Sequence, residues 1–426
     1  MDIAERQMPR CRIYWLDGRK FKTNVMVLFF DLPLERETTT KTALLAEVLK
    51  EGCTAYPTQR DLAKRSEELY GAVWDISIVK KGGRQLLVFS LEIPKIVDIA
   101  DGLAFCHDIL FDPLLEKGAF PKAVVERQKA ALRKRLEGRK DDKRGYARWR
   151  CLEEVAKGTA LGISADGYAE DIDQITEWML YEQYRKIINE GTVKVFFCGE
   201  REEKHKVTPC RKWFSSLSSP SSCSGIGGIA GSGVQQQTSK LAFQEEPIFL
   251  KEPMDMAQSR LVMAFDADVS ASDRNYPAFL LLNQLFGASP ESALFQTIRE
   301  EQGLCYEIKS YGVYPSGLLF VQMGIGNKDA KQAAKGVMEE LDKMRNGEIP
   351  EDRFAQVKKA MADQYAILSD QPWGLTDFFI DQILAGKDHS LEWMSAKIDQ
   401  LEVEEVARIA QRMKLKAVYL LGGKEA

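Results

Sequence analysis

Thr23–Phe30 and Ser259–Phe265 are short, mostly apolar runs that read as strands. Each leads into two stretches with helical spacing, Thr39–Glu51 and Gln59–Tyr70 in the first case, Tyr276–Phe286 and Glu291–Gln302 in the second. Two alternating segments follow each pair. They are Val73–Val79 and Gln85–Leu91, then Tyr306–Val313 and Gly317–Gly324, with the period of two expected of half-buried strands. The connectors Lys80–Arg84 and Tyr314–Ser316 suit hairpins. Helical spacing then dominates until a last strand, Val193–Cys198 or Ala417–Leu421, that ends at Gly199 or Gly422. One plan is written twice. It predicts an α+β fold of two duplicated domains, each a mostly antiparallel sheet covered by helices.

Local matches support the duplication. Phe120-Pro121 and Ile349-Pro350 each precede a long charged helix, and Ile172-Asp173-Gln174-Ile175 returns as Ile398-Asp399-Gln400-Leu401 to open an amphipathic one. From one matched pair to the next the offset shrinks by about one helical turn. With the strand-ending Gly199 and Gly422, three matches in order argue for a repeat. Between the copies lies Phe214–Lys240, small and polar with no period of 2 or 3.6, which reads as a flexible linker. Its GIGGIAGSG has the glycines of a phosphate loop but no strand–turn–helix frame. The predicted domains are therefore 1–213 and 241–426, with the linker at 214–240.

The 426 residues are 45% hydrophobic and 29% charged, an ordinary globular balance. A net charge of −4 gives no general reason to expect nucleic acid. The opening MDIAERQMPRCR is charged too early for a secretory signal, and no stretch approaches the roughly 18 apolar residues of a membrane span. The expectation is a cytoplasmic protein with no membrane or nucleic-acid partner. Eight cysteines form no C-x-x-C and read as reduced, structural thiols. The three histidines, His107, His205 and His389, lie far apart, which excludes a His-pair metal motif on one helix.

The order of elements resembles the pitrilysin and mitochondrial-processing-peptidase family of zinc peptidases. Two stretches carry the resemblance: Leu44–Gly71, LLAEVLKEGCTAYPTQRDLAKRSEELYG, and Leu294–Gly317, LFQTIREEQGLCYEIKSYGVYPSG. Active members carry H-x-x-E-H on the first helix, where two His one turn apart share a zinc ion and the Glu activates its water. Anchored on Gly52, those positions fall on Ala43, Ala46 and Glu47, and the third-ligand position falls near Leu132 or Arg133. The resemblance thus implies the fold without the hydrolytic centre: no catalytic residue, no metal ligand and no cofactor in this chain. A Glu47–Arg133 ion pair in place of the metal is one hypothesis; the favoured reading is that both are solvated and unpaired.

The resemblance also implies a substrate-binding pair, Arg299 and Tyr306, in IREEQGLCY. A guanidinium offers a donor fork to a peptide carbonyl and a phenol can donate to a developing oxyanion. Gly303 between them is expected to end the helix and set Tyr306 at the start of a strand near Arg299. The plain alternative is an Arg pairing with Glu300 or Glu301 and a Tyr packed on the sheet. Family members hold peptide as an added strand, and Gln85–Leu91 is the expected free edge. The function that follows is an inactive subunit of a heterodimeric zinc peptidase, acting on a peptide substrate beside a zinc-bearing H-x-x-E-H paralogue. A peptide-binding scaffold without an enzymatic partner is the alternative. An independent hydrolase is a further one, although no G-x-S-x-G is present.

The run RQKAALRKRLEGRKDDKRGYARWR, from Arg127 to Arg150, is basic and holds Tyr146 and Trp149. It could bind nucleic acid, but a solvated helix pair is the favoured reading, since Asp141-Asp142 interrupts it and the net charge is negative. His107 sits on an apolar helix as a half-core residue, and His205 and His389 have no assigned role. Cys305 is a buried thiol on this reading, reactive only if exposed.

Overall fold

The computed structural model describes residues 4–7, 11–200, 246–326 and 328–423. Phe214–Lys240 and His205 lie outside the described residues. The chain divides into two compact units, Met1–Glu137 with Ile163–Ser239, and Gly138–Gly162 with Lys240–Ala426. Gly138–Gly162 lies in the first half of the sequence yet belongs to the second unit.

In the first unit the strands are β1 (Ala4–Gln7), β2 (Cys11–Asp17), β3 (Thr23–Pro33), β4 (Val73–Lys81), β5 (Arg84–Pro94) and β6 (Thr192–Gly199). They form one sheet in the order β1-β2-β6-β3-β5-β4. In the second unit β7 (Ile248–Glu252), β8 (Ser259–Asp266), β9 (Cys305–Val313), β10 (Leu318–Ile325) and β11 (Lys414–Leu421) form another, in the order β7-β11-β8-β10-β9. With β1 set aside, the two orders are the same. In each sheet the pair made by the first and last strands, β2/β6 or β7/β11, is parallel and the other pairs are antiparallel. The predicted duplication and α+β layering therefore hold. Gln85–Leu91 is not a free edge, however. It lies in β5, between β3 and β4, because the hairpin's returning strand folds inward. The edges are β1 and β4 in one sheet, β7 and β9 in the other.

Helices α1 (Arg36–Leu49), α2 (Gln59–Glu68), α3 (Ile99–Phe111), α4 (Lys122–Glu137) and α6 (Glu177–Glu190) contribute to the first core. Val25–Phe30 of β3 is buried throughout. Met26, Leu28 and Phe30 face that core. On the opposite side Phe29 stacks at 6.0 Å on Phe196, which stacks at 4.7 Å on Tyr14. A strand covered on both sides needs no alternation, which explains its apolar run. β10 is buried throughout for a related reason. Leu319, Val321, Met323 and Ile325 enter the second unit's main core, while Leu318 and Phe320 lie with Tyr146, Ala147 and Cys151 of α5 (Lys143–Val155).

A polar knot fixes α5 to this sheet. The Glu252 carboxylate accepts hydrogen bonds from the Tyr146 and Tyr419 hydroxyls, both at 2.7 Å, and lies 3.5 Å from Arg150. Burial pushes the Glu252 pKa up, but the two phenols and Arg150 outweigh it and hold the carboxyl below its ordinary value. A carboxyl whose folded pKa is lowered adds stability above its unfolded pKa and loses it as pH falls through the folded one. Glu252→Gln is therefore expected to cost about 1–2 kcal/mol at neutral pH. The gap from the parent should narrow from neutral pH to an acidic pH below the ordinary carboxylate range, as the folded carboxyl becomes protonated. Denaturant titrations of both proteins at the two pH values check this.

Candidate functional site

The degenerate metal position lies between α1 and α4. Ala43, Ala46 and Leu132 are each 1% exposed. Two methyls and an isobutyl group stand where the family's first His, its base and a nearby third ligand would be. The fourth position, Glu47, is already engaged: its carboxylate accepts from Arg135 at 2.5 Å and lies 3.4 Å from Lys50. The Glu47–Arg133 pair does not form, and neither residue is unpaired, since Arg133 reaches Asp173 at 2.6 Å. Helical phase explains the correction. Leu132 points inward, Arg135 three residues on shares its face and meets α1, and Arg133 is turned about 100° away. Arg127 and Gln128 both bond Glu51 just beyond the end of α1. These residues do not fit a zinc ion. Among the described residues, no group of three or more His, Cys, Asp or Glu side chains is placed to hold a metal.

The second site is built on a turn. A π-helical segment, Phe295–Glu301, precedes Gly303, whose φ of +63° is the left-handed conformation of a helix-ending glycine. β9 then starts at Cys305. Cys305 pairs with Ile325 and Glu307 with Gly324, so Tyr306 is the extra residue of a β-bulge. Bulges re-aim side chains, and Tyr306 is 67% exposed rather than packed on the sheet. The Arg299 guanidinium lies 4.5 Å from the Phe295 ring centroid, with Nε 3.6 Å from the Glu300 carboxylate, and its side chain is 38% exposed. The plain alternative thus describes Arg299 but not Tyr306. Cys305 is buried, and burial pushes its thiol up to about 11 against the pull of Arg299, so it is a poor nucleophile at neutral pH.

Much of the basic run is neutralised within the fold. Arg127, Arg133 and Arg135 pair with Glu51, Asp173 and Glu47, and Arg150 with Glu153 and Glu154. Trp149 lies beneath the Arg139 and Arg150 guanidiniums, at 5.2 and 5.8 Å. His107 packs on Phe111 at 5.4 Å, and His389 stacks on Trp393 at 3.5 Å.

Residues 174–361 match the family model described as the Peptidase M16 inactive domain. That stretch contains Leu294–Gly317, one of the two segments on which the sequence resemblance rests. The chain is 28% identical over 413 residues to the "Probable inactive metalloprotease YmfF" of Bacillus subtilis, covering 95% of this chain and 94% of that one. A conserved protein of Enterococcus faecalis superposes with a TM-score of 0.85 at 26% identity, covering 100% of this chain and 99% of the other. The peptidase M16 inactive domain of Pseudomonas fluorescens superposes at 0.79 and 16% identity, covering 100% and 99%. No helix of the described residues is long and apolar enough to cross a membrane.

Proposed function

We propose that this chain is the non-catalytic subunit of a two-chain zinc peptidase. The partner is a paralogue carrying H-x-x-E-H and the zinc ion, and this chain supplies Arg299 and Tyr306 as contacts to the substrate peptide. The observation that carries the reading is a contrast between two regions. The metal position is filled with apolar side chains and closed ion pairs, whereas Tyr306 is held out on a bulge without a partner strand residue. The exposed ring and hydroxyl of Tyr306 are free to meet a peptide, which a tyrosine packed on the sheet would not be. Contacts delivered from one chain to chemistry on another act by positioning and electrostatics, which need no metal in the chain that supplies them.

The test is reconstitution. The chain and a zinc-bearing paralogue from a neighbouring reading frame are purified separately and mixed. Peptide cleavage by the mixture, with little by either chain alone, is the expected result. Full activity of the paralogue alone would return this chain to the role of a peptide-binding scaffold.

A further inference from the structure

One residue past Tyr306, the second sheet carries a charged cluster that deepens this reading and rests on it. Glu307 on β9 and Arg260 on β8 flank Gly324 of β10, which pairs with both. A Cβ on Gly324 would lie 2.6 Å from Arg260 Nη1 and 3.3 Å from Glu307 Cγ. The missing side chain is what lets Arg260 cross the strand to the Glu307 carboxylate, with which it pairs. Arg144, in the first turn of α5, pairs with the same carboxylate. Its backbone carbonyl is held by Gln322 of β10 at 2.8 Å, which sets the helix end over the sheet.

The charges do not balance. Two guanidiniums share one carboxylate, and the Nε of Arg260 is buried with no hydrogen-bond partner. Lys309, exposed two residues along β9 and on the same side, adds a third cation. The Asp142 carboxylate caps α5 by accepting the Gly145 N–H at 3.0 Å and remains an anion near Arg260, so three cations face two carboxylates and one positive charge is left in excess. Arg is suited to bidentate carboxylate recognition. Arg144 is 60% exposed and can turn to a ligand.

We propose that Arg144 and Arg260, over the Gly324 floor, form a subsite for a carboxylate of the bound peptide, with Glu307 as its internal stand-in. An acidic side chain or a C-terminal carboxylate enters beside Tyr306 and takes Arg144 from Glu307. The substrate class is therefore acidic peptides.

The test measures affinity on the full-length chain by fluorescence anisotropy, with labelled peptides that differ only by Glu or Gln at one scanned position. The parent is expected to favour the Glu peptide. Arg144→Ala should reduce the Glu-over-Gln preference about tenfold, and Arg144→Lys should retain part of it. Glu307→Gln should raise the preference roughly threefold by removing the competing carboxylate. The opposite signs of the Arg144 and Glu307 variants separate recognition from damage to the fold. Equal affinity for the two peptides, no binding of either, or a preference unmoved by Arg144→Ala overturns the subsite. Failure of a paralogue to gain activity on mixing overturns the subunit reading instead, and leaves an acid preference measured on this chain standing.

Discussion

Arg299→Ala is expected to lower kcat/KM of the reconstituted two-chain peptidase by about 10–10²-fold, the loss of a charged donor fork to the peptide carbonyl. The fold should scarcely notice. Arg299 lies against Phe295 and Glu300 on a half-exposed surface, and such pairs contribute about 0–1 kcal/mol. Tyr306→Phe keeps the ring and removes the hydroxyl, so its effect should fall on kcat more than on KM. Steady-state kinetics beside a thermal melt separate the cases. A fall in rate that tracks a fall in melting temperature would mean a structural role. A change under about threefold would leave the exposed tyrosine unexplained and the scaffold reading favoured.

Leu132→Glu should be the most destabilising single change at the old metal position. It puts a carboxylate near where active relatives hold a ligand, but without the cation that makes such a group affordable. Leu132 is 1% exposed and belongs, with Ala46 of α1, to the first core. A buried, unpaired charge costs about 3–5 kcal/mol, added to the lost packing of the leucine. Urea denaturation should show that loss, with no recovery when Zn²⁺ is added. Stabilisation by zinc would mean that Glu47 and neighbouring groups still form part of a metal site.

Much of the fold was legible because period and order are properties of the chain itself. The hairpins at Lys80–Arg84 and Tyr314–Ser316, the final strands and the second-half helices could be placed from pattern alone. Strands β1, β2 and β7 could not. AERQ, CRIYWLD and IFLKE are only four to seven residues long, too short for a period to stand out. The edge at Gln85–Leu91 was misplaced because hairpin order does not reveal which strand turns inward. The Glu47–Arg133 pairing failed by two residues of α4. Helical phase decides which of several neighbouring arginines meets α1, and the burial of Leu132 was the signal that would have pointed to Arg135. The Arg299–Gly303–Tyr306 turn was readable in outline. The bulge that frees Tyr306, and the cluster of Arg144, Arg260 and Glu307, depend on strand register and on a helix from the other half of the sequence.

That borrowed helix has a consequence for how the molecule can be divided. Gly138–Gly162 supplies Tyr146, Ala147, Cys151 and Val155 to a layer with Val262, Ala264, Leu318, Phe320 and Tyr419. A truncation that begins after the linker would leave those sheet residues facing water, a sticky apolar face of the kind that drives aggregation. Two fragments cut within the linker, by contrast, retain a shared core. They should remain associated after cleavage and should complement each other when co-expressed, so the linker is a better place to split the chain than to end it.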